Sequence, residues 1–576
     1  MNQKYKPIGE IIVGINGWIE EGHDASVTII DANEDNCKIL GALEEEKVTK
    51  NKCAYNTLPV KSLDALIKYL KIDVSDIKKV VFGWNLPMLF QGKNRLMEFS
   101  DKQILRMLFP NNNIENKTVG YIDHHLAHAA CAFRTSGFER AIVLILDGQG
   151  ENESGSLWIG QNNGLQRIKT IDIYSSFGYL YEAVNEILGF KVNESGKTMG
   201  LAAYGTDQYL DRIKSCFYIR DNFCLNDSMK KYKTAAKRFS SGHMDMQKTC
   251  IIMWKLFFAE KLGIKPLDKK ITSFYDVEEK YRNLAASVQS FLEFAAMELL
   301  KPVIEETNIR NVCVGGGVAL NCKMNGVLLS QDMVDDIYIN PAANDAGVSM
   351  GAALEYAKQM GLCSWVPFSG GGLEYLGIEF EDSYIIGKIE EYGMNYDVYD
   401  NAEQIIADEV NRGGIVALFQ GRNEWGPRAL GNRSIIASAA SKTMLDYINS
   451  KIKKRELGRP LGPTILFDND EFEDVKGKKS AKYMNIAFRA GADMEKYEAV
   501  VHCDNTYRPQ FLEKENNDIY YRQIRKIKET SGEAAIINTS FNIETPIIYN
   551  VDDAITAFFK SKLTCLVFNN RIVLKK

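Results

Sequence analysis

Residues 123–128 read Asp123-His124-His125-Leu126-Ala127-His128, and residues 146–150 read Leu146-Asp147-Gly148-Gln149-Gly150. The chain holds only 6 histidines in 576 residues, and three of them fall in the first stretch. His124 and His128 are four apart, so a helix here projects both imidazoles from one face, one turn apart, at a spacing that can share a metal ion. Asp147 follows the apolar run Ala141–Leu146, at the mouth of a β-sheet where an acidic ligand is usually found. The competing reading is a helix with surface histidines, and the other motifs weigh against it.

Working outward, Ile11-Ile12-Val13-Gly14-Ile15-Asn16-Gly17 and Gly22-His23-Asp24-Ala25-Ser26-Val27-Thr28-Ile29-Ile30 read as strand, glycine-bearing turn and strand. Further strands are expected at Val80–Gly83 and Ala141–Leu146. An amphipathic helix is expected from Leu284 to about Ile304, with Pro302 kinking or ending it. A short strand, Asn311–Val314, then leads to the turn Gly315-Gly316-Gly317. Strands alternating with helices imply an α/β fold. Glycine turns far apart in sequence could close on one ligand, since glycine lets backbone N–H groups approach phosphate closely; each alone also reads as a tight turn. Composition changes over 360–395, where Ser369-Gly370-Gly371-Gly372 reads as a linker. A second α/β pattern begins at Gly414-Ile415-Val416-Ala417-Leu418-Phe419. It continues through a helix at Asn517–Lys528 and strands at Ala534–Ile537 and Cys565–Phe568. No internal repeat is visible. The expected division is 1–365, a linker region 366–395, and 396–576.

The length suits two or three domains. A hydrophobic fraction of 45% and a charged fraction of 25% are those of a globular protein. The net charge of −5 and the lack of a basic block argue against binding long nucleic acid. No run of about 18 uncharged apolar residues exists, so no membrane span is expected. The start, Met1-Asn2-Gln3-Lys4-Tyr5-Lys6, lacks a signal peptide's apolar core. The 11 cysteines are scattered and never form C-x-x-C, which implies free thiols and a cytoplasmic location.

Four pieces carry chemistry in the first 360 residues. They are His124, His128 and Asp147; Ser195-Gly196-Lys197-Thr198-Met199-Gly200-Leu201-Ala202; Gly315-Gly316-Gly317-Val318-Ala319-Leu320-Asn321; and Asn340-Pro341-Ala342-Ala343-Asn344-Asp345-Ala346-Gly347. Gly-Lys-Thr occurs without the glycine spacing of a P-loop. Two imidazoles with Asp147 and Asp345 form a hard-to-borderline set suited to Fe(II), Mn(II) or Zn(II). Asp345 also reads as a helix cap before Ala346–Leu354. The last 180 residues place arginines beside Gly, Pro or Asn: Gly421-Arg422-Asn423-Glu424-Trp425-Gly426-Pro427-Arg428-Ala429-Leu430-Gly431-Asn432-Arg433-Ser434, Arg455-Glu456-Leu457-Gly458-Arg459-Pro460, Tyr507-Arg508-Pro509-Gln510 and Asn538-Thr539-Ser540-Phe541-Asn542. Arginine in rigid turns suits bidentate capture of phosphate, with hydroxyl and amide groups as neutral donors.

In this order the motifs resemble the O-carbamoyltransferases of antibiotic and nodulation-factor biosynthesis, such as the tobramycin, ansamitocin/geldanamycin-type and cephem enzymes. The resemblance spans nearly the whole chain. It implies a Kae1-like N-terminal domain of the actin/Hsp70/sugar-kinase superfold followed by a YrdC-like α/β domain. It implies that His124, His128, Asp147 and Asp345 hold a divalent metal, iron foremost with Mn or Zn as alternatives, against the phosphate of a bound nucleotide. Lys52, Gly148, Gly150, Lys197, Gly316, Gly317, Asn321, Arg422, Arg433, Arg455, Arg459, Asn538, Thr539 and Ser540 are the implied contacts to ATP, with or without Mg, and to carbamoyl phosphate. Arg428 and Arg508 are the implied catalytic cations, and His23 is a candidate base for the acceptor hydroxyl. The chain departs from the family at Glu44-Glu45-Glu46-Lys47-Val48, where Glu-Glu-Glu-Arg-Phe is usual, and at Cys53, where a histidine is usual after the lysine matched by Lys52.

The implied chemistry has two steps. Carbamoyl phosphate and ATP give carbamoyl-adenylate in the C-terminal domain, and the N-terminal domain transfers the carbamoyl group to a hydroxyl of a small-molecule acceptor. Rival readings are a threonylcarbamoyl-type enzyme acting on tRNA, a protein-directed carbamoyltransferase and a non-catalytic nucleotide-binding regulator. The net negative charge speaks against the first, and the absence of paired C-x-x-C against the second. Nucleotide binding without turnover would mark the third. Neither the acceptor nor the oligomeric state is legible.

Overall fold

The computed structural model describes residues 4–18, 22–90, 100–161, 164–220, 223–239, 246–363, 372–472, 475 and 477–576. Strand β1 (Glu10–Asn16) is buried at every position after Glu10, so it reads as a continuous apolar run. It pairs antiparallel with β2 (Ser26–Asn33), which pairs with β3 (Asn36–Glu44). A short helix, α1 (Glu45–Thr49), follows. Strands β4 (Ile77–Phe82) and β5 (Thr118–Tyr121) extend the other side in parallel, giving the order β3-β2-β1-β4-β5. Helix α2 (His124–Arg134) leaves β5.

A second antiparallel meander follows, β6 (Arg140–Leu146), β7 (Glu153–Gln161) and β8 (Gly164–Asp172). After helix α3 (Glu279–Thr307), strands β9 (Asn311–Gly315) and β10 (Asp336–Ile339) add in parallel beside β6, giving β10-β9-β6-β7-β8. Helix α4 (Val348–Gln359) comes next. The two sheets therefore share one topology, a duplication that the sequence does not display. Strand order requires only matched apolar patterning, which very different residues satisfy. Helix α3 is longer than expected. Pro302 lies inside it, and the chain runs on to Thr307 before Asn308 takes a left-handed conformation (φ 53). Buried Leu299, Leu300, Val303 and Ile304 hold both sides of the proline in place.

Helices α2 and α4 cross where the two sheets meet. Helix α2 is rich in alanine, which favours helix and keeps its surface low. A Cβ on Gly351 of α4 would stand 1.8 Å from the Ala127 carbonyl oxygen, so only glycine allows this approach.

Within the 366–395 region, residues from Leu373 onward are packed structure. Ser369, Gly370 and Gly371 lie outside the described residues. Leu373, Tyr375, Leu376 and Ile378 are buried, and helix α5 (Asp382–Glu391) buries Ile385 and Ile389. Residues 397–575 then form one mixed eight-stranded sheet. Its strands are β11 (Asp397–Val398), β12 (Val416–Phe419), β13 (Arg433–Ser438), β14 (Gly462–Leu466), β15 (Gln510–Leu512), β16 (Ala535–Ser540), β17 (Cys565–Phe568) and β18 (Ile572–Lys575). The order is β11-β18-β17-β12-β13-β16-β14-β15, with helix α6 (Asp518–Ser531) between β15 and β16 in the chain. Trp425, from the loop between β12 and β13, inserts fully buried into the apolar cluster of Ala342, Ala346 and Val348. Its backbone N–H donates to the Glu374 carbonyl at 2.7 Å. All eleven cysteines are free, and among the described residues no helix is long and apolar enough to cross a membrane.

Two outcomes follow from this packing. Gly351→Ala forces α2 and α4 apart and costs about 1–3 kcal/mol in denaturant unfolding; an unchanged midpoint would show that the crossing can relax. Glu374 accepts from Asn516, but its Oε2 is buried without a partner, and burial pushes the carboxyl up to about 7. The folded state therefore retains a proton that the unfolded chain has lost. Its stability falls as pH rises from the ordinary glutamate value toward about 7. Glu374→Gln should remove that slope, gaining on the order of 3 kcal/mol at pH 8 relative to pH 4. Parallel pH–stability curves for the two proteins would contradict this.

Candidate active site

His124 and His128 point inward from the first turns of α2, and both are buried. Asp147 stands just past the end of β6, and Asp345 at the start of the turn leading into α4. The His124 and His128 Nε2 atoms are 3.1 Å apart. Each also faces both carboxylates: His124 lies 3.2 Å from Asp147 and 3.6 Å from Asp345, and His128 lies 3.4 Å from each. One donor atom from each of the four side chains lies within 4.8 Å of all the others. A tetrahedron with metal–ligand bonds of about 2.0–2.2 Å has edges of about 3.3–3.6 Å. The spacing and the nitrogen–oxygen donor set both fit a divalent first-row ion.

Surrounding groups orient these donors. His124 Nδ1 lies 3.2 Å from the Gly83 carbonyl, which accepts its proton and turns Nε2 toward the cluster. The Trp84 ring stacks on the His124 imidazole at 3.7 Å. The α2 N-terminus has no cap from Asp123; instead, Glu151 accepts the His124 N–H at 3.0 Å and the Asn85 N–H at 2.8 Å. Asp147 Oδ1 accepts the Gly317 N–H at 3.1 Å. Asp345 makes no cap hydrogen bond to α4; its carboxylate faces the imidazoles instead. Burial alone would lower the His124 imidazole, but Asp345 and Asp147 push it up to about 10. Burial likewise works against both carboxylates, yet the facing histidines hold Asp147 well below its ordinary value. Asp345 is also lowered, with burial and Asp147 opposed by His124 and His23. His125 is not part of the cluster: its Nδ1 pairs with Ser156 Oγ at 2.9 Å, and burial lowers it well below the usual imidazole value.

The cluster opens onto a cavity of about 1240 Å³. Its wall includes His23, Lys52, Asp147, Gly148, Lys197, Gly317, Asn321 and Asp345 from the N-terminal half, and Arg428 and Arg459 from the C-terminal half. His23 Nε2 is 3.8 Å from Asp345, and its Nδ1 is 3.4 Å from Asp24. Against the effect of burial, these carboxylates push His23 up to about 9. Lys52 faces Glu194 at 3.5 Å, and Lys197 bridges Glu194 and Glu456. Gly316 lies behind Gly317, against the Leu146 carbonyl, and Gly150 packs on the His125 ring.

Arg428 and Arg459 line the cavity, and Arg455 and Arg508 lie close enough to repel them. Burial and Arg508 push Arg428 down to about 9. Arg455 Nε donates to Asn449 at 2.7 Å, while its Nη2 is buried without a partner. Glu456 lies 3.5 Å from Arg459, and Glu194 also acts on Arg459. Like charges gathered with so little compensation form an anion site. Lys453, which the sequence reasoning missed, belongs beside them. Its buried ammonium donates to the Ser540 carbonyl at 2.6 Å, Ser540 Oγ at 3.0 Å, the Asn542 carbonyl at 3.1 Å and Asn542 Oδ1. Burial, reinforced by Arg455 and Arg459, lowers it well below the usual lysine value. Its signal was the alternation Lys453-x-Arg455 and Ser540-x-Asn542, hidden in the charged run Lys451-Ile452-Lys453-Lys454.

Four of the expected contacts have partners within the protein. Arg422 donates to the carbonyls of Gly377, Leu40 and Leu376, tying β3 to the C-terminal half. Arg433 is fully buried and donates to the carbonyls of Gln420, Gly421, Asn432 and Ile378, with its guanidinium 3.7 Å from the Phe419 ring centroid. Carbonyl oxygens take both Arg433 Nη groups and the Nε and Nη2 groups of Arg422, while Arg433 Nε is buried without a partner. Asn538 donates to Thr464 and Gln510 inside the sheet, and Thr539 pairs with Ile435 across β13.

A family model described as carbamoyltransferase N-terminus matches residues 85–354, and one described as carbamoyltransferase C-terminus matches residues 407–575. The nodulation protein NolNO of Sinorhizobium fredii is 29% identical over 96% of this chain and 79% of its own length. The nodulation protein NolO of Bradyrhizobium diazoefficiens is 30% identical over 79% of each chain. An uncharacterised protein of Synechocystis is 32% identical over 79% of this chain and 76% of its own length. A crystal structure of full-length HypF covers 62% of this chain and 47% of its own at 14% identity and a TM-score of 0.32, a likeness too loose to bear on this chain. With both halves of the model matched in order, and a relative above 30% identity aligned over most of both chains, the chain belongs to the carbamoyltransferase family and is a carbamoyltransferase.

Proposed function

We propose that the enzyme is an ATP-dependent O-carbamoyltransferase that forms carbamoyl-adenylate at the arginine cluster and transfers the carbamoyl group to an acceptor hydroxyl beside the histidine–aspartate cluster. The observation that carries this reading is the single cavity of about 1240 Å³ whose wall includes both Arg428 and Asp345. An anion site and a cation site on one cavity suit a substrate with phosphate at one end and a reacting carbonyl at the other. On this reading the two N-terminal sheets correspond to a Kae1-like domain, and residues 397–575 to a YrdC-like one.

Arg428, Arg455, Arg459 and Arg508 bind the phosphate of carbamoyl phosphate and the phosphates of ATP, and they neutralise charge as the bonds change. Water adds to carbamoyl phosphate, the bond between the carbamoyl group and the phosphate breaks, and carbamate and inorganic phosphate result. A carbamate oxygen then attacks the α-phosphorus of ATP, and pyrophosphate leaves. In the second step the acceptor oxygen attacks the carbonyl carbon, the bond from that carbon to the AMP oxygen breaks, and AMP departs. His23 is placed to take the hydroxyl proton. When bound by His124, His128, Asp147 and Asp345, a divalent ion would supply Lewis-acid polarisation of a phosphate oxygen and draw off the Asp345 charge that keeps His23 protonated. Nodulation-protein relatives favour a small-molecule acceptor.

Metal analysis should find about one divalent first-row ion per chain, with His128→Ala strongly depleted; full occupancy in the variant would exclude this ligand set. Partial reactions separate the two ends of the cavity. Arg428→Ala and Arg508→Ala should abolish carbamoyl phosphate-dependent pyrophosphate release. His23→Asn should retain that release but transfer to the acceptor about 10²–10⁴-fold more slowly. Normal pyrophosphate release by Arg508→Ala would move the phosphate site, and near-normal transfer by His23→Asn would move the base.

A further inference from the structure

We propose that Lys47 is a positioning residue that sets Arg428 in the cavity by fastening the loop of the C-terminal half that carries it. The proposal rests on the reading of Arg428 as a phosphate ligand.

That loop runs from the end of β12 to the start of β13 with no helix or strand of its own. Its shape must come from other contacts. Glu424 folds the far side by accepting the N–H groups of Leu430, Asn432 and Arg433 at 2.8–2.9 Å. The near side is gripped by the N-terminal half. Lys47 is 1% exposed at its side chain, and its ammonium makes three hydrogen bonds: to Glu44 Oε1 at 2.9 Å, the Glu424 carbonyl at 2.6 Å and the Gly426 carbonyl at 3.1 Å. All three of its N–H donors are used. Glu44 Oε1 also accepts the Gly426 N–H at 2.7 Å, closing the grip on both sides of the peptide. Gly426 adopts φ +97, and a Cβ there would stand 2.2 Å from the Pro341 carbonyl, so the loop is pressed against the segment leading to Asp345. Pro427 and Arg428 follow directly and line the cavity.

Lys47 also borders the opposite wall. It lies in α1, whose Glu46 accepts the Cys53 N–H at 2.7 Å, and Glu46, Lys52 and Cys53 line the same cavity. One buried ammonium thus stands between the two wall segments. A buried ion pair is a poor device for stability alone, since apolar residues of similar volume hold a joint at least as well. Its hydrogen bonds to two named carbonyls instead set the register of the loop, which an apolar plug cannot do. Lysine is sufficient where the resembled family has arginine, because the site offers three acceptors and lysine supplies three donors.

Affinity for inorganic phosphate, measured by titration calorimetry on the full chain, tests this. Lys47→Met strands the buried Glu44 and can unfold the protein, so Glu44→Gln/Lys47→Met, which removes both charges, is the informative variant. It should bind phosphate at least ten-fold more weakly than the parent while keeping its metal content. Lys47→Arg, which still donates to both carbonyls, should stay within a few-fold of the parent. Unchanged phosphate affinity in the double variant, with or without a lower melting temperature, overturns the proposal, as does a loss in Lys47→Arg as large as in the double variant. Arg428→Ala separates the two readings. If it binds phosphate normally, the phosphate assignment itself fails; if it loses phosphate while the double variant does not, only the role of Lys47 fails.

Discussion

The mutual compensation of two buried imidazoles and two buried carboxylates is the interaction on which the rest of this structure depends. None of the four groups could be buried alone without a large desolvation penalty. Together they require residues 124 and 128, 147 and 345 to converge within a few ångströms, and this convergence dictates the architecture. The first sheet supplies the start of α2, and the second supplies the end of β6 and the turn before α4. The bare surface at Gly351 allows α2 and α4 to cross at the required depth. Glu151, reaching from the loop after Asp147 to the His124 N–H, ties the aspartate strand to the histidine helix.

The arginine cluster obeys the opposite rule. Its cations raise one another's energy, and Glu456 offsets only part of that. A fold keeps such a group only where the scaffold over-determines it, and ligand binding relieves the repulsion. Lys453 on Ser540 and Asn542, and Arg455 on Asn449, hold two cations by neutral contacts that leave the charge uncancelled. One end of the cavity therefore sets two carboxylates against two imidazoles, while the other gathers cations with little compensation. The proposed route through an adenylate calls for both.

The site was more legible in the sequence than the fold that builds it. Histidines four apart in a chain with few histidines, and an aspartate at the end of an apolar run, are local patterns, and their geometry follows from helix and strand periods. Asp345 was legible only through its motif, because nothing local tells a cap from a ligand. The carbonyl partners of Arg422 and Arg433 were not legible, because a turn arginine that captures phosphate and one that captures carbonyl oxygens look alike in one dimension. Lys453 was hidden in a run that resembles a solvated face. Burial of Tyr375 and Ile378, beyond the glycine-rich Ser369–Gly372, was not legible because it depends on partners distant in sequence. The duplication was invisible because strand order is a property of pairing and not of residue identity.

The central claim is that a metal ion at the histidine–aspartate cluster and a phosphate at the arginine cluster occupy one cavity. Phosphorus-31 relaxation of inorganic phosphate, measured on protein loaded with Mn(II) and again with diamagnetic Zn(II), tests this most directly. The account predicts that bound phosphate relaxes markedly faster beside Mn(II), and that the enhancement disappears when His128→Ala removes the ion or Arg428→Ala removes the phosphate. Equal relaxation with the two metals, at matched phosphate occupancy, would place the two sites in separate cavities and contradict the account.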